Sequence, residues 1–432
     1  MRSSPAVERL ESCLAKINEP AGEGIRTFLA LYPEAAYEAA DAADRRAREG
    51  TKLGPLDGTI VSIKDLFDVL GEPTRAGSRT LANVPPAARD ATIVQRLRKA
   101  GAVIIGKTNM SEFAFTGVGA NPHYGTPGNP ADRQRIPGGS SSGAAVAVAD
   151  GMCEIAIGTD TGGSTRIPAA LCGVVGYKPT KVRVPTEGAF PLSPTLDSIG
   201  PIARSVEACA KADTLLAGEQ PWGLQPAELS ELRLAIPQGF PLDELDSVVA
   251  DRFEAAVTRL SEGGARLTEM KFSIFEDMTR VQSTATIATV EAYHIHRERI
   301  AACGEAYDPI VRSRIESGSA VSDEDFSKML QERQELANAM DVRLAEVDAL
   351  MLPTTPIVAP LIAELSNSKA FNAKNRLLLR NTAIANFFDL CAISLPMAGA
   401  GELPAGLMLV GRRGQDRRLF GIAASVEDLL CR

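Results

Sequence analysis

The pattern of apolar and polar positions divides the first hundred residues into helices and strands. Residues 5–48 interleave charged residues with Ala and Leu, which predicts helical structure up to the breaker Gly50. The run GTIVSIK then predicts a buried strand that ends at Lys64. A helical pattern at 91–100 leads into the apolar run AVIIG, and this strand-helix-strand order is typical of α/β proteins.

The later parts of the chain continue the alternation. Strand patterns occur at EIAI, LRLAIP, CAISLP and AGLMLVG, and helical patterns at 245–260, 322–347 and 417–430. Ser322, followed by Asp325, resembles a capping box at the start of the long charged helix.

No fixed-period repeat or linker is visible, so we expect one domain over residues 1–432. Its predicted parts are a helical N-terminal segment (1–50), a core (56–204) and a helical middle and C-terminal part (205–432). The predicted fold class is α/β, with a large mixed β-sheet covered on both faces by helices.

Composition and charge exclude several classes of protein. Hydrophobic residues make up 45% of the 432 residues and charged residues 23%, which is typical of a soluble globular protein. No apolar stretch reaches bilayer length, and Glu8 and Glu11 interrupt any secretory signal, so we expect a cytoplasmic protein without membrane contact. The net charge of −8 is spread along the chain, which argues against direct nucleic-acid binding. The seven cysteines form no CxxC pair, so we expect neither a metal site nor a disulfide framework. The sequence indicates no cofactor. It allows a homodimer but does not require one.

Two clusters rich in glycine and serine stand out. PGGSSSGAAVAVADG (137–151) leads into small helix-forming residues, which predicts that residues 140–142 lie at a helix N-terminus. GTDTGGSTRIPAA (158–170) follows the strand pattern EIAI and again precedes small apolar residues. Both clusters therefore predict strand-to-helix corners.

The second corner and Lys64 offer the groups that amide hydrolysis requires. The reaction needs a nucleophile, a base for its proton and donors aimed at the developing oxyanion. The glycines of TDTGG allow successive N–H groups to turn inward, so an oxyanion formed on Ser164 would meet main-chain donors. These donors are the N–H groups of Thr161, Gly162, Gly163 and Ser164.

The run GGSSSG followed by GTDTGGSTRIPAALCGVVGYKPT resembles the signature region of the amidase signature family. The resemblance covers residues 56–204 in detail and CAISLP and AGLMLVG more loosely. It implies cleavage of a small carboxylic amide to an acid plus ammonia or an amine, through an acyl-enzyme. It implies Ser164 as the nucleophile, Ser140 as a bridging serine that follows a cis peptide bond, and Lys64 as the base.

The proposed base must be uncharged to accept a proton. An ordinary lysine has a pKa of about 10.4, so less than roughly one part in a thousand is neutral at pH 7. We therefore expect burial to lower the pKa of Lys64. Ser141 and Ser142 are expected to cap the helix and line the substrate pocket, whereas Asp160 and Arg166 either position substrate or form an ion pair that holds the loop. The structural role is the favoured one for this pair.

Two rival hypotheses come from outside the family. GSSSG fits the GxSxG elbow of α/β-hydrolase esterases, which would make Ser141 the nucleophile with His294 or His296 as base. The glycine-rich corners could also cradle a nucleotide phosphate, but the chain lacks both the P-loop ending and a GxGxxG fingerprint.

Within the family, the alternative is a glutaminase subunit of the amidotransferase A type that delivers ammonia within a complex. Aligned with that subunit, this chain has Leu379 where an aspartate grips the glutamine α-amino group, which disfavours a transamidase partner. Asn381 or Asp389 could substitute for it. Arg376 and Arg380 could bind a substrate carboxylate, but a charged helix surface is the favoured interpretation for them. Phe113, Phe115 and Tyr124 are candidates for the pocket entrance.

Overall fold

The structure, a computed structural model, describes residues 5–365, 367–397 and 401–431. Its centre is one eleven-stranded mixed sheet, which confirms the predicted fold class. The strands are β1 (Phe28–Leu31), β2 (Ile60–Lys64), β3 (Val103–Thr108), β4 (Ile155–Asp160), β5 (Val175–Lys178), β6 (Ser198–Ala203), β7 (Arg233–Gln238), β8 (Arg266–Lys271), β9 (Ala349–Pro353), β10 (Cys391–Pro396) and β11 (Gly406–Gly411).

The strands lie in the order β1-β3-β2-β4-β6-β5-β10-β11-β9-β7-β8. Strand β2 pairs in parallel with both β3 and β4, and β7 pairs in parallel with β8 and β9, while the remaining neighbours are antiparallel. Because β2 and β4 are parallel neighbours, their C-terminal ends lie at the same edge of the sheet. This edge carries the candidate site.

Helices pack on both faces of the sheet, because successive residues of its central strands point to opposite sides. On β2, Ile60 joins a hydrophobic cluster with Leu10 and Ala144, whereas Val61 joins a different cluster with Leu97. The helices are α1 (Ala6–Ile17), α2 (Gly24–Thr27), α3 (Pro33–Glu49), α4 (Thr92–Lys99), α5 (Ser142–Ala149), α6 (Arg166–Cys172), α7 (Val206–Ala217), α8 (Ser247–Glu262), α9 (Ile274–Val281), α10 (Ile287–Cys303), α11 (Pro309–Glu316), α12 (Asp323–Arg343), α13 (Ser368–Phe387) and α14 (Asp416–Leu430).

Most of the predicted elements are present. The four strand patterns of the later chain form β4, β7, β10 and β11, and the three helical patterns overlap α8, α12 and α14. The predicted cap of α12 is confirmed, since the Ser322 hydroxyl accepts a hydrogen bond of 3.1 Å from the N–H of Asp325.

One prediction about a helical region needs correction, and two strands of the C-terminal part were not predicted. Phe28–Leu31 interrupts the N-terminal segment as strand β1, because its backbone pairs with β3, far away in sequence. In the C-terminal part, β8 and β9 add to the three strands predicted there. Among the described residues, no helix combines the length and apolarity that a membrane crossing needs.

Candidate active site

Lys64 is the last residue of β2 and is fully buried. Its ammonium nitrogen Nζ donates to the Ser140 hydroxyl at 2.7 Å and to the Thr159 hydroxyl at 2.9 Å. Thr159 lies on the neighbouring strand β4, so the parallel pairing of β2 with β4 places the second acceptor. The lysine is therefore held between two hydroxyl groups inside the protein.

Burial lowers the pKa of Lys64 to about 7, although the negative charges of Asp160 and Asp197 act in the opposite direction. Water is excluded from the amine, so the charged form loses its hydration and the neutral form gains relative weight. At pH 7 about half of the amine is then neutral, in contrast to the trace expected of an exposed lysine.

The two serine corners meet beside this amine. The peptide bond between Gly139 and Ser140 is cis, and helix α5 begins at Ser142. The N–H of Ser141 donates to the carbonyl of Ser164 at 3.2 Å, which joins the first corner to the second. Within the described structure the Ser164 hydroxyl has no hydrogen-bond partner, and 4% of this residue is exposed.

The turn that precedes Ser164 presents main-chain donors. In the described part of the chain, the N–H groups at positions 161–164 donate to no protein acceptor, while Thr161, Gly163 and Ser164 are buried. Buried N–H groups are nearly always paired in folded proteins, so a run of free donors beside a hydroxyl is a place for an anion. The geometry suits an oxyanion.

Gly163 allows the turn to take this shape. Its φ of +136° is rarely adopted by other residues, and a Cβ there would lie 2.2 Å from Thr382 Oγ1. The same Thr382 hydroxyl donates to the carbonyl of Gly162 at 2.6 Å. On the other side, Thr161 donates to Asp197 at 2.6 Å, and burial raises the pKa of this carboxyl to about 6. The turn is thus held from both ends.

Asp160 and Arg166 form a buried ion pair below the turn, with a distance of 2.8 Å between Oδ1 and Nη2. Asp160 also accepts from the N–H and hydroxyl of Thr165, and Arg166 donates to the carbonyl of Thr382 and to Asn386. Burial alone would raise the pKa of the Asp160 carboxyl, but the Arg166 charge holds it well below its usual range. This pair braces the turn against helix α13.

A cavity of about 130 Å³ opens at Ser164. It is lined by Thr161, Gly162 and Ser164 from the turn, by Phe115, and by residues of the helices α10, α11 and α13. Ser141 and Ser142, expected to line the pocket, do not line it, and neither do Asp160 and Arg166, for which contact with substrate was one of two alternatives. All four are fully buried in the layer beneath the turn. The two serines therefore have a supporting position, and the other two residues form the ion pair that was the favoured alternative.

The other pocket predictions have mixed outcomes. Phe115 lines the cavity, whereas Phe113 packs against His296 at 4.3 Å between ring centroids and Tyr124 packs against His123 at 6.4 Å. The remaining candidates lie elsewhere: Arg376 is exposed, Arg380 donates to the carbonyl of Asp243, Asn381 donates to the carbonyls of Pro241 and Pro353, and Asp389 lies 3.9 Å from Arg333.

The histidines give no support to Ser141 as a nucleophile. The Ser141 hydroxyl donates to the carbonyl of Thr159 at 3.4 Å. His296 Nδ1 is hydrogen-bonded to the Tyr307 hydroxyl at 3.1 Å, and burial lowers the pKa of this imidazole to about 3. His294 lies on the same helix, with Nε2 3.6 Å from Asp323. Neither ring contacts Ser141.

Several residues of the site were missed by the sequence analysis. The most important are Thr159 beside Lys64, Thr382 and Asn386 beneath the turn, and Arg314 and Phe387 in the cavity wall. Thr159 could have been found, because a hydroxyl near the end of the strand next to Lys64 is within reach of its amine. Among the described residues, no group of three or more metal-ligating side chains could hold a metal ion.

Fold and site together define an α/β enzyme that hydrolyses amide C–N bonds, and the comparisons with known proteins agree. The amidase family model matches residues 8–420, and the chain belongs to this family.

Relatives and solved structures extend the match over nearly the whole chain. The chain is similar to 2-amino-5-chloromuconic acid deaminase from Comamonas testosteroni, with 37% identity over 91% of this chain and 86% of the relative. It is also similar to the glutamyl-tRNA(Gln) amidotransferase A subunit from Chloroflexus aggregans, with 36% identity over 96% of this chain and 91% of the relative. The crystal structure of an amidase superposes with a TM-score of 0.88 at 33% identity, covering 98% of this chain and 96% of the other.

Proposed function

We propose that the protein hydrolyses a small carboxylic amide through an acyl-enzyme on Ser164, with Ser140 as proton relay and Lys64 as base. The observation that carries the proposal is the 2.7 Å hydrogen bond between Lys64 and Ser140, formed by a fully buried lysine. A neutral amine in that position can accept the Ser140 proton while Ser140 accepts the proton of Ser164.

The bond changes then follow in order. Ser164 Oγ attacks the amide carbon, and the resulting oxyanion is received by the N–H groups of the turn at 161–164. The C–N bond breaks as the proton held on Lys64 returns through Ser140 to the leaving nitrogen, which departs as ammonia or an amine. Water attacks the acyl-enzyme through the same relay and releases the acid, so protons and charge balance over the cycle.

One position in the cavity supports a free amidase over a subunit that hydrolyses glutamine. Leu379 lies in the cavity wall, and its side chain packs against Gly162 of the turn. Neither Asn381 nor Asp389, the two candidates to replace an aspartate there, lines the cavity. The relative from Comamonas testosteroni is named as a deaminase that acts on an acid. Loss of nitrogen from an acid substrate is compatible with the release of ammonia proposed here.

The test is ammonia release from primary amides by the parent and by two serine variants. We expect Ser164→Ala to lose about 10⁴-fold or more of kcat/KM, as removal of a catalytic nucleophile does in other serine hydrolases. Ser141→Ala is the matched control and should keep most of the activity, since its hydroxyl only contacts the carbonyl of Thr159. Mass spectrometry after rapid acid quenching should find the acyl group on Ser164. Normal turnover by Ser164→Ala would refute the proposal.

A further inference from the structure

Arg314 is the one charged side chain among the described residues that line the cavity at Ser164. It projects from helix α11, and its guanidinium carbon lies 5.0 Å from the ring centroid of Phe115, which also lines the cavity. The Nε atom of Arg314 is enclosed and has no hydrogen-bond partner, and the described residues offer its guanidinium no carboxylate within ion-pair distance.

The absence of a carboxylate within ion-pair distance among the described residues distinguishes Arg314 from Arg333, whose Nε also has no partner but whose guanidinium lies 3.9 Å from Asp389. Arg166 is paired with Asp160 at 2.8 Å, and Arg183 is paired with Asp213 at 2.8 Å. Burial without a counter-ion lowers the pKa of Arg314 to about 10, so the side chain is still a cation at neutral pH. A charge taken out of water is costly unless it is paired, and an arginine fork suits a carboxylate.

The other residues of the cavity wall restrict the kind of substrate that could carry such a carboxylate. The wall contributed by helix α13 contains Leu379, Ala383 and Phe387, and Leu196 adds another apolar side chain. No carboxylate among the described lining residues could pair with an ammonium group. A zwitterion such as glutamine would therefore leave its α-ammonium unpaired, whereas an aliphatic chain would pack against these side chains.

We infer that Arg314 binds a carboxylate of the substrate, and that the substrate is an anionic amide without an α-ammonium group, such as the half-amide of an aliphatic dicarboxylic acid. The inference rests on the proposed hydrolysis at Ser164 and specifies its substrate class. The amide carbon would face Ser164 and the turn, while the carboxylate at the far end of the acyl chain reaches α11.

The experiment compares matched substrates: succinamate, glutaramate and adipamate against the neutral amides butyramide, pentanamide and hexanamide. We expect the parent to favour the half-amides. Arg314→Met should lower kcat/KM for the best half-amide by about 30-fold or more, with at most about a twofold change for its neutral counterpart. Arg314→Lys should recover part of the loss, because it keeps the charge without the fork.

Arg312→Met is the matched control. Arg312 lies on the same helix but forms an exposed pair with Glu316 at 2.8 Å, so its loss should leave both substrate series unchanged. Equal turnover of charged and neutral amides by the parent, or an equal effect of Arg314→Met on both, would overturn the inference.

A binding measurement separates this inference from the proposed chemistry. We expect the Ser164→Ala protein to bind glutarate in calorimetry and the Ser164→Ala/Arg314→Met protein to bind it at least about 30-fold more weakly. Binding that is absent, or insensitive to Arg314→Met, contradicts the carboxylate site. Binding through Arg314 in a protein whose parent hydrolyses no amide would contradict the proposed reaction and leave the carboxylate site standing.

Discussion

Thr159→Val tests whether the buried amine is the group whose ionisation controls the rate. The Thr159 hydroxyl accepts a hydrogen bond from Lys64 Nζ at 2.9 Å, and this bond favours the ammonium over the neutral amine. Valine has nearly the same shape but cannot accept a hydrogen bond. Its apolar methyl group also adds to desolvation of the charge, so both effects lower the pKa of Lys64.

The magnitude follows from the free energy of one hydrogen bond. Removing the hydrogen bond destabilises the ammonium form of Lys64 by about 1 kcal/mol. Since about 1.36 kcal/mol corresponds to one pKa unit, the pKa of Lys64 falls by about 0.7. From a parent value of about 7, the midpoint should fall to roughly 6.3. Only the neutral amine is a base, so activity rises as pH increases through the midpoint and levels off above it. The neutral fraction at pH 6 then grows by about threefold to fourfold.

The assay is kcat/KM against pH from about 4.5 to 9.5, normalised to the plateau, since this ratio reports the ionisation of the free enzyme. The plateau itself should fall by about twofold because a weaker base transfers the proton less readily. A normalised midpoint that stays in place or moves to higher pH would refute the reasoning. Such a result would assign the midpoint to another group, for example Asp197, whose pKa burial raises to about 6.

Three further substitutions examine the turn, its brace and the cavity wall. Gly163→Ala should lower kcat by about 10²- to 10³-fold with the fold retained by circular dichroism, because the new Cβ would lie 2.2 Å from Thr382 Oγ1 and displace the oxyanion donors. Asp160→Asn should lower the free energy of unfolding in urea by about 3–5 kcal/mol, because it leaves Arg166 charged and unpaired in the interior. Leu379→Asp should raise the rate of glutamine hydrolysis by about tenfold or more, because it places a carboxylate in the cavity for the α-ammonium group.

Each of these predictions has a control and a contrary outcome. Gly223→Ala adds a Cβ whose nearest neighbour is Gln225 Nε2 at 4.0 Å, so it should not change kcat. A fully active Gly163→Ala enzyme would show that the turn takes no part in the reaction. Asp277→Asn breaks an exposed pair with Arg280 and should barely change stability, so equal unfolding curves for both aspartate variants would contradict the bracing role of Asp160. Leu379→Asn keeps the side-chain shape without the charge, and an equal gain with Asn would exclude charge pairing as the cause.

The central strands and the two corners could be predicted because their information is local. Strand β2 is rich in β-branched apolar residues, ends at a lysine and is buried at every position. The corners are rich in glycine, serine and threonine, and so high a density of these residues is typical of turns. The sequence thus located both serines and the lysine and predicted the pKa shift of Lys64 from burial.

Other strands escaped prediction because their pairing is not local. The run FLAL of β1 has no alternation that separates it from the flanking helices, and it becomes a strand by pairing with β3. Strand β8 is polar and mostly exposed because it lies at the edge of the sheet, so it lacks an apolar pattern. Such segments are decided by neighbours that lie far away in sequence.

The cavity wall was predicted poorly for a related reason. Phe115, Arg314 and Leu379 come from three distant parts of the chain, and no short motif joins them. Arg376 and Arg380 were considered for a substrate carboxylate from the sequence. Neither lines the cavity, since Arg376 is exposed and Arg380 donates to the carbonyl of Asp243. Only the folded structure, in which α11 forms part of the cavity wall, shows that Arg314 is the arginine that lines the cavity.

Helix α13 links substrate recognition to the catalytic turn, because one of its faces serves both. Leu379, Thr382, Ala383 and Asn386 follow the spacing i, i+3, i+4 and i+7 and so lie on the same side of the helix. Leu379, Ala383 and Asn386 line the cavity, while Thr382 holds the carbonyl of Gly162 and Asn386 also binds Asp160. A substitution at 379 or 383 that leaves the helix in place can therefore change which amide is preferred without moving the oxyanion donors. A change at 382 moves the oxyanion donors and lowers the rate for every amide, charged or neutral.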